Sequence, residues 1–196
     1  MYKIAALVSG GGSNLQAVID AVDAGKIKGR VALVVSSNAA AYALERAKKH
    51  EICAEVLAKK DFADSQSREN RLLELLHAHK IDLLALCGSL MILSGAFLEK
   101  FGKPVINVHP ALLPDFGGKG FYGLNVHKAV LAAGSEVTGA TVHFVESGID
   151  TGKIILQKRV DIKPGDTPET LQERVMREAE WQILPEVISM FAEGRI

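Results

Sequence analysis

Apolar, strand-like runs recur through the first two thirds of the chain, at about Ile4 to Val8, Val31 to Val35, Cys53 to Leu57, Leu83 to Leu86 and Val105 to Val108. A strand that is apolar at every position is buried on both faces. Helical periods separate these runs, so the pattern predicts a mostly parallel sheet with helices on both sides. Two of the helices read as stripes, one of Leu15, Val18, Ile19 and Val22, the other of Leu72, Leu75 and Leu76. After Gly134 come two longer runs, Val137 to Val145 and Ile154 to Ile162, joined by a glycine-bearing segment from Glu146 to Lys153 that suits an antiparallel pair. A last helix opens at Thr167, with Pro168 in its first turn and Glu169 behind it, and Pro185 is expected to kink or interrupt it. The fold class expected is α/β, a single Rossmann-like domain over residues 1–196 with an antiparallel pair near its C-terminal end.

Composition narrows the partners. The 196 residues suffice for one well-cored domain, and no internal repeat or low-complexity tract divides them. Lys and Arg number 23 and Asp and Glu 23, so no net field draws the chain to nucleic acid or to an anionic membrane. A small-molecule partner is expected instead. Cys53 and Cys87 stand in apolar surroundings without C-x-x-C spacing, which reads as two reduced core thiols and not as metal ligands. The apolar run ending at Val8 is too short for a membrane span and is broken by glycines, so a cytoplasmic protein is expected.

The candidate chemistry starts at Asn107 and His109. Residues i and i+2 of a strand share a face, so this amide and this imidazole should stand side by side where the strand leaves the sheet. An amide N–H can donate to a developing oxyanion, and an imidazole can move a proton near neutral pH. A second feature, Ser9-Gly10-Gly11-Gly12-Ser13-Asn14-Leu15, lies between the first strand and the first helix. Its glycines allow close backbone approach, and Ser13, Asn14 and the free amides of the helix start suit a phosphate. It is neither a G-x-G-x-x-G fingerprint nor a P-loop, and a plain turn remains the alternative. Both features follow parallel strands, so both should open onto the same sheet edge. Asp150, in the loop between the last two strands, would raise and orient His109 if it lay close, and is otherwise a turn residue. His127 and His143 rank lower, one in the opening turn of a helix from about Leu124 to Leu131, the other within a strand; His50, His77 and His79 read as solvated helix ends.

These residues amount to a resemblance. Gly10 to Asn14 followed by Leu15-Gln16-Ala17, Ser37-Asn38, Leu44-Glu45-Arg46-Ala47, Asn107 to Pro114, Gly139 to Val145, and Asp150 with Ile155-Leu156-Gln157 resemble, in collinear order, the phosphoribosylglycinamide formyltransferases of the formyltransferase superfamily. The resemblance implies transfer of a formyl group from 10-formyltetrahydrofolate, a co-substrate, to glycinamide ribonucleotide in purine synthesis. No metal is implied, and the enzyme would be a monomer or homodimer. Carried over by position, the catalytic trio falls on Asn107, His109 and Asp150. The ribonucleotide phosphate falls on Gly12, Ser13 and Asn14, its ribose on Glu180, and the folate on Leu90, Met91, Ile92 and Leu93 together with Asn107.

The chain departs from the family pattern in places. Met91 stands where many relatives carry a basic residue, and a charge there is expected to matter no more than an exposed ion pair, within about 1 kcal/mol. Arg68 is the nearest substitute for an arginine often found near Ser65. The segment Asp115 to Gly123 holds four glycines and is expected to form a mobile lid. Asp150-Thr151-Gly152-Lys153 keeps the carboxylate of the usual Asp-Gly-Gly-Pro but alters its turn. Two other functions remain open on the sequence, a formyltetrahydrofolate hydrolase and a non-catalytic nucleotide-phosphate-binding module. The hydrolases usually add an N-terminal regulatory domain, which is not expected here, and the tRNA-directed relatives add a C-terminal barrel.

Overall fold

The computed structural model describes residues 1–196, which form one seven-stranded sheet in the order β3-β2-β1-β4-β5-β6-β7. The strands are β1 (Tyr2–Val8), β2 (Gly29–Ser36), β3 (Ala54–Val56), β4 (Leu83–Leu86), β5 (Val105–His109), β6 (Val137–Phe144) and β7 (Ile154–Asp161). The first five are mutually parallel; β6 runs antiparallel to both β5 and β7. The helices are α1 (Ser13–Asp23), α2 (Tyr42–Lys49), α3 (Ser65–Ala78), α4 (Gly95–Phe101), α5 (Leu124–Ala132), α6 (Pro168–Val175) and α7 (Trp181–Ala192). No helix is long and apolar enough to cross a membrane.

Alternation along the strands divides the core into two layers. Ile4, Ala6 and Val8 of β1 face α1, α2 and the C-terminal helices, while Ala5 and Leu7 face α3 and α4. On β5, Ile106 and Val108 join the first layer and Val105 the second. Asn107 and His109 share the parity of Val105, but loops cover them where a helix would otherwise lie. A polar pair thus occupies a face that is apolar on β1 and β4.

Several expectations are corrected. Cys87 is buried, but Cys53 is exposed at the start of the short edge strand β3, whose pattern is apolar without being enclosed. Thr167 caps α6 with Pro168 at its first position, as the sequence indicates. Pro185 does not end the last helix: it lies inside α7, and the irregularity comes just upstream as a π turn over Met176–Glu180. Proline cannot donate to the carbonyl four residues back, here Trp181, which lies in the first turn of α7, so little of the helix is lost.

Candidate active site

β1 and β4 are neighbours whose connections leave in opposite directions, and ligands of open α/β sheets bind in the crevice at such a point. Three segments converge there: the glycine turn after β1, the Gly88–Leu93 loop after β4, and the end of β5. Leu90 N–H donates to Ser9 Oγ at 2.8 Å, tying the first two together. The residues that the resemblance assigns to the trio, the ribonucleotide and the folate, Gly12, Ser13, Asn14, Leu90, Met91, Ile92, Leu93, Asn107, His109, Asp150 and Glu180, all line one cavity of about 910 Å³.

Asp150 reaches this cavity by a detour. Phe144, the last residue of β6, pairs with Ile106, whereas His109 pairs with Thr141. The loop therefore leaves level with the start of β5 and must travel back roughly 10 Å along the sheet. It arrives with Asp150 in a left-handed conformation, φ 56°, that carries a strain of about 1 kcal/mol. There Asp150 Oδ2 lies 3.4 Å from His109 Nδ1 and accepts from Gly118 N–H at 3.0 Å, and Oδ1 accepts from Asn107 Nδ2 at 3.4 Å. Gly117 packs closely here: a Cβ would meet Leu113 Cδ2, the end of a side chain, at 2.5 Å and Asp150 Cβ at 3.4 Å.

His109 is 3% exposed, its Nε2 lying 2.8 Å from the Phe116 carbonyl oxygen. Burial pushes its pKa below the usual imidazole range, and the opposing pull of Asp150 and of the Phe116 carbonyl does not make up the difference. This corrects the expectation that Asp150 leaves His109 with a raised pKa. Burial alone would raise the pKa of Asp150, but its hydrogen-bonding neighbours, the Gly118 amide among them, hold it lowered, so the carboxylate stays ionised. The Asp115 to Gly123 segment borders the cavity and is held at Phe116 and Gly118 to two site residues.

His143, ranked low from sequence, belongs to the cluster. Its Nδ1 donates to the Phe144 carbonyl at 2.8 Å, so Nε2 presents a lone pair, and Asn107 Nδ2 donates to it at 3.1 Å. Asp150 Oδ1 is farther, at 3.5 Å. The signal that identifies His143 is its antiparallel pairing with Asn107. His127 is fully buried on α5 with neither ring nitrogen partnered, and burial followed by the nearness of His109 lowers its pKa to about 4.

At the other end of the cavity, Gly12 adopts φ 72° and heads α1, and no side chain caps the helix. The N–H groups of Gly11, Gly12, Ser13 and Asn14 have no partner within the protein, which makes a left-to-right-handed nest of amides suited to an anion. Asn14 Nδ2 donates to Glu180 Oε2 at 2.6 Å, leaving Asn14 Oδ1 buried and unpartnered. Burial raises Glu180 to about 7, against the Asn14 hydrogen bond. The π turn is what carries Glu180 into this wall.

The β4 loop is two-sided. Leu90 and Ile92 are 65% and 70% exposed, whereas Met91 and Leu93 are 7% and 3% exposed and pack with Leu86 and Phe97. Met91 is therefore a core residue at the cavity wall, and the scale of an exposed ion pair does not apply to it. Arg68 is no substitute for a cavity arginine: its Nε donates to the Leu57 carbonyl at 2.8 Å, and it does not line the cavity.

Residues 2–188 match the formyl transferase family model. The chain belongs to this family. It is 40% identical to the phosphoribosylglycinamide formyltransferase of Haemophilus influenzae over 196 residues, covering all of this chain and 90% of that protein. It superposes on glycinamide ribonucleotide transformylase 1 of Symbiobacterium toebii with a TM-score of 0.93 and 42% identity, covering all of this chain and 89% of the other. The corresponding enzyme of Geobacillus kaustophilus gives 0.90 and 36%, covering 98% and 99%. Within this formyl transferase, the paired strands β5 and β6 carry Asn107, His109 and His143, and the loop that follows β6 carries Asp150.

Proposed function

We propose that this formyl transferase moves the formyl group of 10-formyltetrahydrofolate to the amine of glycinamide ribonucleotide, as a cytoplasmic enzyme acting on small molecules. The observation that carries this reading is the sharing of one cavity by an unpaired nest of amides at Gly11 to Asn14 and the Asn107, His109 and Asp150 cluster. The nest suits the phosphate, the cluster suits acyl transfer, and the exposed Leu90 and Ile92 suit the flat face of a pterin between them.

In the reaction the amine nitrogen bonds to the formyl carbon, the bond from that carbon to N10 breaks, and the amine proton ends on N10. Negative charge gathers on the formyl oxygen in between. Once the Phe116 carbonyl has moved off Nε2, a neutral His109 with its hydrogen on Nδ1, towards Asp150, has a lone pair on Nε2 that takes the amine proton as the new bond forms. The imidazolium then lies against the Asp150 carboxylate, which stabilises it at the moment the oxyanion develops beside it. The collapse of the intermediate returns the proton to N10. Asn107 donates to the oxyanion with the hydrogen that now makes the long 3.4 Å contact to Asp150, keeping the 3.1 Å one to His143. For His109 Nε2 to face substrate, the Phe116 carbonyl has to move off it.

A turnover assay tests the reading. Release of tetrahydrofolate that depends on glycinamide ribonucleotide is expected. Release without it would make the protein a hydrolase, and no release with either would leave a phosphate-binding module.

A further inference from the structure

Arg46, on α2, lies behind the glycine turn. It does not line the cavity; with Gln16 and Trp181 it lines a separate groove between α1 and α7. From that side two carbonyls of the turn are held. Ala43 N–H donates to the Gly10 carbonyl at 3.1 Å, and Arg46 Nε donates to the Gly11 carbonyl at 2.9 Å. Both peptides are trans, the one cis bond of the chain being Leu113–Pro114. In a trans peptide the N–H points opposite to the C=O, so holding the Gly10 and Gly11 carbonyls towards α2 turns the Gly11 and Gly12 amides away from it. These are the first two amides of the unpaired nest.

Gly12 is held against Ala43 and its carbonyl accepts from Gln16 N–H at 2.9 Å, but the two residues before it are loosely held: a Cβ built at Gly10 or Gly11 would meet nothing within 4 Å, and glycine has the widest backbone freedom of any residue. Arg46, in contrast, is itself clamped. Its Nη1 donates to Gln16 Oε1 at 2.9 Å, and its guanidinium carbon lies 5.1 Å from the centroid of the Tyr42 ring. Gln16 is anchored in turn to Asp20 Oδ1 at 2.8 Å.

We propose that Arg46 is a positioning residue for the phosphate of the ribonucleotide: by holding the Gly11 carbonyl it aims the amides that receive the anion, without touching the anion. This inference rests on the reading of the glycine turn as the phosphate site.

The test compares wild type with Arg46→Met, which keeps the aliphatic stem and removes the donor. Three quantities are measured: kinetics with glycinamide ribonucleotide, kinetics with the same nucleoside lacking its phosphate, and calorimetric binding of inorganic phosphate. The ribonucleotide KM should rise about ten-fold with kcat unchanged, phosphate binding should weaken by a similar factor, and kcat/KM for the phosphate-free nucleoside should stay the same. Arg46→Lys, which keeps the charge and a single donor, should show the same selective pattern to a smaller extent and serves if the methionine variant does not fold. An equal loss on both substrates, or phosphate binding unchanged in either variant, overturns the proposal. If wild type turns over neither substrate, the functional reading fails, while the phosphate titration still decides the role of Arg46.

Discussion

Asn107 and His143 are paired across β5 and β6, and the amide nitrogen of the first lies 3.1 Å from Nε2 of the second. The imidazole fixes which way the Asn107 amide faces, because its Nδ1 hydrogen is already committed to the Phe144 carbonyl. His143→Ala should therefore lower kcat by about ten-fold, the worth of one well-placed hydrogen bond, and leave ribonucleotide KM unaltered. His143→Gln, which restores an acceptor, should recover part of the loss. A change in KM alone would make His143 a ground-state binder.

The acid limb of the pH profile reports His109. The imidazole must be neutral to take the amine proton, so activity should fall only below a pKa that burial has placed under the usual imidazole value. The Asp150 charge raises that pKa, so Asp150→Asn should move the limb to still lower pH and reduce the plateau by about 10²-fold. Profiles of kcat/KM for the two proteins decide this. A limb that stays in place would detach Asp150 from His109.

Neighbouring residues of the β4 loop should separate stability from binding. Met91→Ala removes a side chain that is 7% exposed in the core and should cost about 2–4 kcal/mol in urea unfolding. Ile92→Ala, at a position 70% exposed, should change stability by under about 0.5 kcal/mol while raising folate KM. Similar unfolding midpoints for the two variants would contradict the placement of Met91.

His127 should limit stability in acid. Its folded pKa of about 4 lies below the value near 6.5 of an unfolded histidine, so the unfolded chain takes up the proton first as pH falls. The stability present above pH 6.5 is then lost down to about pH 4, by about 3 kcal/mol in total. Replacing His127 by Phe should flatten that part of the Tm against pH curve. An unchanged slope would assign the acid loss elsewhere.

The sequence by itself determined the strands, the stripes of α1 and α3, the cap at Thr167, the glycine turn and the shared face of Asn107 and His109. Each of these is written in residues a few positions apart, where a period of two or of 3.6 dictates which side chains share a face. The antiparallel β6 and β7 were legible in the same way, but the register that sets His143 against Asn107 was not, because it depends on pairing strands 36 residues apart. Nor could the sequence place the Asn14 contact with Glu180, across 166 positions, or that of Arg46 with Gly11, across 35. The tertiary structure also decided the charge of His109. Asp150 favours the cation, but the loop through Phe116 and Gly118 seals the pair from water, and the desolvation of a buried charge outweighs one partner at 3.4 Å. Met91 became a core residue for a related reason: an irregular loop has no period, so only the packing of Leu86, Leu93 and Phe97 around it settles which side chains turn inward.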